Sequence, residues 1–205
     1  FYNESFGEAI YPTPIVGMVG LIGNMAHRRT MGFPGEGLLV IMLGETLAEL
    51  GGSEYLNLVH GLTAGKPPAL DLAREKVVQT TCIEAIRRGI IRSAHDCSEG
   101  GAAVALLECC CAGDVGAELR VESELRPHEW LFGESQSRFV VTVAEEDLES
   151  LRRLAAVRDV PLYVLGKTGG GRLAINDWID LEVAEMRRAR EEALERILSG
   201  GGRKD

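Results

Sequence analysis

The chain has 205 residues, room for one domain and part of a second; 45% of them are hydrophobic, enough to bury a core and to exclude wholesale disorder. Thirty-one acidic residues against 22 basic ones leave a net charge of −9, and no basic stripe marks a nucleic-acid or anionic-membrane binder. No apolar run approaches the roughly 20 residues that cross a bilayer, and Phe1-Tyr2-Asn3-Glu4 lacks the basic start of a secretory signal. The five cysteines (Cys82, Cys97 and Cys109 to Cys111) follow no metal-ligand spacing. They read as small, buried, reduced side chains of a cytoplasmic protein.

The opening, Asn3 to Pro14, reads as a loop stiffened by Pro12 and Pro14, already under way at its first residues as expected of a piece of a longer chain. Residues 15–22 (IVGMVGLI) have the composition of a short buried strand, and the Gly- and Pro-punctuated stretch 24–36 that of a linker. Leu38 to Leu43 is a second buried strand, and a short helix within 46–58 is interrupted at Gly51-Gly52. After Pro67-Pro68, the apolar residues Leu70, Leu72, Val77, Val78, Cys82, Ile83 and Ile86 recur at helical spacing up to Gly89. A strand over 90–95, a loop over 96–101 and a helix over 102–111 follow. Next come a strand over 115–121, a helical turn over 127–132, the clearest strand of the chain over 138–143, and an amphipathic helix over 146–157. Residues 161–165 and 172–175 read as two strands joined by a hairpin turn at Lys167-Thr168-Gly169-Gly170-Gly171, which has the wrong order for a phosphate loop. A charged helix over 180–198 and a disordered tail over 200–205 complete the chain. The expected class is α+β, a mixed sheet flanked by helices. The linker over 24–36 is the candidate domain boundary, between 1–23 and 37–199.

Two stretches carry candidate chemistry. His95-Asp96-Cys97-Ser98-Glu99-Gly100-Gly101 lies between a strand and a helix, where free backbone N–H groups favour an anion and paired glycines admit a phosphate or another backbone. The competing reading makes Ser98 a plain helix N-cap. Gly133-Glu134-Ser135-Gln136-Ser137-Arg138 places short polar side chains at a sheet edge, where they suit phosphate or sugar hydroxyls; otherwise it is a polar turn with Arg138 on a solvent face. His27, His60 and His128 read as surface residues.

In this order, the segments YNES-x-G-x-AIYPTP-IVGMVGLI, HDCSEGG-x-AVAL-x-E and LFGESQSRFVV resemble the phosphoribosylformylglycinamidine synthase family. The match covers Phe1 to about Ile175 and resembles the C-terminal part of that family's second internal half. The resemblance implies the α+β C-terminal domain shared with aminoimidazole ribonucleotide synthetase. It also implies ATP- and Mg²⁺-dependent conversion of N-formylglycinamide ribonucleotide, with glutamine-derived ammonia, to the amidine. The implied partners are the rest of the synthetase chain, a glutaminase subunit and a small accessory subunit. Internal symmetry with the first half points to His95, Asp96, Ser98, Gly100, Gly101, Glu134, Ser135, Gln136 and Ser137 as ligand- or phosphate-binding candidates. The family's Gly-Asn-x-Ser segment, catalytic histidine and metal-binding acids have no counterpart here. No catalytic or metal residue is therefore assigned, and the piece alone is expected to be inactive. The alternatives are an assembly module that self-associates through the edge of its orphan strand, and an enzyme like aminoimidazole ribonucleotide synthetase.

Overall fold

A computed structural model describes residues 3–10 and 15–199. In chain order the elements are β1 (Asn3–Ser5), β2 (Glu8–Ile10), β3 (Leu39–Leu43), α1 (Glu54–His60), α2 (Leu72–Arg87), β4 (Ile91–Asp96), α3 (Gly101–Gly113), β5 (Ala117–Leu119), α4 (Pro127–Phe132), β6 (Phe139–Val143), α5 (Leu148–Val157), β7 (Leu162–Thr168), β8 (Arg172–Ile175), β9 (Ile179–Glu182), α6 (Val183–Glu191) and α7 (Ala193–Leu198). Seven strands form one mixed sheet in the order β4-β6-β3-β7-β5-β8-β9, in which the β5–β8 pair is parallel and the other pairs are antiparallel.

Central β3 is buried along its whole length, and its side chains alternate between two cores. Val40 and Met42 pack under α3, α4 and α6 with Leu106, Trp130 and Met186, whereas Leu39, Ile41 and Leu43 pack under α2 and α5 with Val78, Cys82 and Leu151. The expected mixed sheet flanked by helices is therefore what forms. The outer edge of β4 is partly covered by the segment before β3: Ala94 N–H donates to Thr30 O at 3.1 Å, and Arg29 Nε donates to Ile91 O at 2.6 Å. Phe33 is 1% exposed and inserts into the core, so packing on the sheet begins upstream of β3, within the stretch that reads as a linker.

Several local expectations are corrected. Residues 15–22 form no strand and are exposed, with Ile15 at 98% and Leu21 at 100%. An apolar, β-prone segment becomes a strand only where a neighbour accepts its ladder, and nothing within this sheet does so. Asn3 to Ile10 is a hairpin rather than a loop. Its two turn residues, Phe6 and Gly7, both have positive φ (54° and 83°), the backbone that a tight two-residue turn requires; Tyr11 to Pro14 lie outside the described residues. The supposed β7–β8 hairpin is split by β5, which lies between the two strands. Gly116, entering β5, exchanges hydrogen bonds with the glycine turn (Gly116 N to Gly170 O, 2.7 Å; Gly169 N to Gly116 O, 2.8 Å). The charged helix begins only at Val183, because Ile179 to Glu182 pair with β8 instead. There Arg172 reaches across to Asp180 (2.7 Å) and to Glu182, and cross-strand charge pairing overrides local helix propensity.

Candidate functional site

In antiparallel neighbours the end of one strand lies beside the start of the next. Asp96 at the end of β4 pairs with Phe139 at the start of β6, and Leu43 at the end of β3 pairs with the same Phe139. The loops after β3, after β4 and before β6 therefore emerge together, and both candidate stretches meet at one end of the sheet. Cys97 N–H donates to Arg138 O at 3.0 Å, joining them directly. Gly44 has φ +95°, and a Cβ there would lie 2.0 Å from Ser137 O, so only glycine permits the approach of these loops.

A pocket of about 260 Å³ lies between the loops, lined in part by Asp96, Ser98, Glu134, Gln136 and Ser137 of the candidate set, together with Glu75, Glu99 and Arg138. A second pocket of about 220 Å³ lies on the other side of the 135–137 loop, against Glu45, Leu47, Glu49 and Arg74. Gln136 is exposed and lines both.

Within the pocket most polar groups are already paired. The Ser98 hydroxyl donates to Asp96 Oδ2 at 2.7 Å, and that hydrogen bond holds the Asp96 carboxyl below the usual carboxylate range. Ser98 is thus no N-cap: the N-cap of α3 is Gly100, at φ +77°. Its N–H donates at 2.9 Å to Glu134 Oε1, which also accepts from Glu54 N–H, at the start of α1, at 3.0 Å. One carboxylate therefore serves as the anion at two helix starts. Ser137 is held at φ +61° with its hydroxyl donating to Glu75 Oε2.

Three candidates are turned to other tasks. His95 Nε2 hydrogen-bonds Glu108 Oε2 on α3 at 2.9 Å, Arg190 on α6 holds the other oxygen of Glu108 at 3.0 Å, and His95 does not line the pocket. Gly101 is buried; a Cβ there would meet Gly133 O at 2.6 Å and Leu131 O at 2.8 Å, so it is another backbone that the glycine admits. Ser135, 1% exposed, exchanges hydrogen bonds with the backbone of Leu47 (3.1 and 3.3 Å).

Arg138 reverses its sequence reading. It is 1% exposed, not on a solvent face, and its guanidinium donates to Ser135 O (2.9 Å), Gly133 O (2.6 Å) and Thr46 Oγ1 (3.1 Å). It folds the 133–137 loop around itself, at a desolvation cost that draws its pKa below the ordinary arginine value. Sequence reasoning also missed Glu75, which sits on the polar side of a helix read only for its apolar residues. His60 and His128 both lie against Tyr55, with ring centroids 5.5 and 5.9 Å away. All five cysteines are free and buried, and burial pushes the Cys97 thiol up to about 11. Among the described residues no group of three or more His, Cys, Asp or Glu could hold a metal ion, and no helix is long and apolar enough to cross a membrane.

Residues 35–177 match the family described as AIR synthase related protein, C-terminal domain. The chain belongs to this family. The AIR synthase C-terminal domain thus accounts for the whole sheet up to β8 and for both candidate loops. Among curated relatives, the PurL subunit of phosphoribosylformylglycinamidine synthase from Moorella thermoacetica is 52% identical over 175 residues, 85% of this chain and 24% of that protein. The corresponding protein from Thermomicrobium roseum is 47% identical over 189 residues, 90% of this chain and 26% of its own. The chain thus spans about a quarter of the length of the relatives it matches. The structure of T. maritima PurL complexed with FGAR has the same fold, with a TM-score of 0.63 at 20% identity, over 78% of this chain and 29% of that one.

Proposed function

We propose that this AIR synthase C-terminal domain serves an ATP-dependent ligase of purine biosynthesis, phosphoribosylformylglycinamidine synthase, which makes the amidine from N-formylglycinamide ribonucleotide and glutamine-derived ammonia. The observation that carries the reading is the 52% identity to a PurL subunit over 85% of the chain. On this reading 1–23 end a preceding domain and the C-terminal domain runs to 199, taking in Phe33 from the stretch that reads as a linker; the expected tail, 200–205, lies outside the described residues. The remainder of the synthetase chain, a glutaminase subunit and a small accessory subunit complete the cytoplasmic enzyme, and these residues alone do not turn over.

Within that enzyme the domain supplies one wall. Ser98 and Ser137 give their hydroxyl protons to Asp96 and Glu75, so the pocket of about 260 Å³ offers oxygen acceptors to a sugar hydroxyl, while the exposed Gln136 amide supplies a donor. T. maritima PurL has been solved complexed with ATP, which supports a nucleotide as the ligand. The pocket is too small to enclose one, and the N–H of Gly100 is already engaged by Glu134. The described residues do not fit Mg²⁺ as a resident ion, since they gather no set of metal ligands. The work of this wall is positional: the β4 and β6 loops, pinned by Arg138 and Glu134, hold their hydroxyls and amide in place before the ligand arrives.

Calorimetry of the chain with Mg-ADP tests the site. Saturable binding lost in Ser98→Ala and Gln136→Ala supports the wall, and binding indifferent to both removes it. The function is tested separately by ammonia-dependent amidine formation in the complete, folded synthetase with its subunits; absence of product there overturns the assignment. A second reading is favoured by the exposure of residues 15–22: a binding and assembly module that self-associates through that segment. Sedimentation showing only monomer at high concentration refutes it.

A further inference from the structure

Far from the candidate loops, a cavity of about 360 Å³ opens where the C-terminal ends of α2 and α5 meet, lined by Arg88, Ser150, Arg153, Leu154, Val157 and Arg158. Three arginines line this cavity in a chain whose net charge is −9. Glu84 stands beside them. Its carboxylate pairs with Arg88 at 2.8 Å, and the hydrogen bond and charge of Arg88, reinforced by the charges of Arg158 and Arg87, hold its pKa below the usual carboxylate range. Glu149 is engaged by Arg152 at 2.8 Å, while Arg153 Nε donates to its backbone oxygen at 3.3 Å. That leaves positive charge in excess at the cavity. One nitrogen is unmet: among the described residues, Arg158 Nη1 is the buried side-chain nitrogen that finds no hydrogen-bond partner.

Basic residues at helix C-termini complement the macrodipole, which accounts for an arginine at the end of each helix. It does not account for three of them around one cavity, nor for a buried N–H left without an acceptor. A planar guanidinium matches phosphate oxygens in a fork, and two or three such groups neutralise a dianion. Ser150 can add a hydroxyl donor, and Leu154 and Val157 offer an apolar wall beside the charges.

We propose that this cavity binds a small phosphate ester, through Arg88, Arg153 and Arg158. It is a second anion site, distinct from the candidate loops: Glu75 of the first pocket and Arg88 lie at opposite ends of α2, about 20 Å apart at the rise of an α-helix. The proposal does not depend on the ligase reading, because it rests on this cavity alone.

The test is a titration with inorganic phosphate at constant ionic strength, followed by the arginine Nε resonances of the ¹⁵N-labelled protein. Saturable shifts at Arg153 and Arg158 are expected, with affinity lowered about tenfold by Arg158→Gln, the size of one charge-assisted hydrogen bond, and partly kept by Arg158→Lys. Thermal melting of each variant verifies folding. Gln136→Ala serves as the control for the other pocket and leaves this binding intact. Absence of saturation, or saturation unaltered in Arg153→Gln and Arg158→Gln, overturns the proposal. So does binding that disappears in Gln136→Ala, which assigns the phosphate to the candidate loops instead.

Discussion

Replacing Arg138 by methionine keeps most of the side chain's length and removes a guanidinium that is 1% exposed. All three of its acceptors (Gly133 O, Ser135 O and Thr46 Oγ1) are uncharged, so hydrogen bonds hold the group directly and the charges of Glu49 and Glu134 act on it only from a distance. A hydrogen bond to a charged donor contributes about 1.5–3 kcal/mol net, and an orphaned buried carbonyl costs about 1–3 kcal/mol. Against this stands relief from burying the charge, which is several kcal/mol. Water entering the displaced 133–137 loop offsets part of the loss as well. The balance is a destabilisation of about 3–4 kcal/mol for Arg138→Met, read as a lower urea midpoint at unchanged slope. In a chain of this size it corresponds to a Tm lower by about 6–16 °C. Arg138→Lys is expected to lose at least as much, because an ammonium in the same dry site keeps the burial cost without the fork. A Met variant within 1 kcal/mol of the parent would show that the loop carbonyls find other donors, and the account of Arg138 as the pin of this loop would fall.

Four further outcomes follow from the same geometry. Gly101→Ala forces a Cβ to within 2.6 Å of Gly133 O on a backbone at φ +68°, and it should cost more stability than Gly169→Ala, where a Cβ meets open space; equal urea midpoints refute the close packing of α3 on the end of α4. Glu134→Ala frees the N–H groups of Gly100 and Glu54 and should speed amide exchange at the start of α1 while sparing β3; unaltered exchange at Glu54 would remove the two-helix role of that carboxylate. The pKa of Asp96 is lowered on folding, so its stabilising contribution is complete above the unfolded value of about 3.9 and is lost as pH falls through the depressed folded value. Asp96→Asn should therefore flatten the acid limb of the stability curve and match the parent at the lowest pH, whereas parallel curves contradict the linkage. Burial raises Cys97 to about 11 and Cys82 and Cys110 to about 12, so labelling by a thiol reagent at pH 8 should wait on unfolding; reaction of these thiols as fast as free cysteine would refute their burial.

Much of the architecture was legible in one dimension because its signals are local. Helical spacing from Val77 to Ile86 and the run Phe139 to Val143 each fix an element by side-chain periodicity, and the motif order carried the family resemblance before any packing was known. The class of fold followed from those elements. Partner choice did not, since a strand's neighbours are set by which apolar faces close over one another. That is why β5 lies between β7 and β8, why residues 15–22 pair with nothing described, and why Ile179 to Glu182 join the sheet. The candidate stretches were visible as sequence, but the duties within them were not. Only tertiary contact buries Arg138, turns His95 toward Glu108, closes Gly101 on a backbone and places Glu134 at two helix starts. Polar side chains take their roles from groups brought near by folding, and those groups lie 34 residues away for Glu134 and Gly100 and 92 for Arg138 and Thr46.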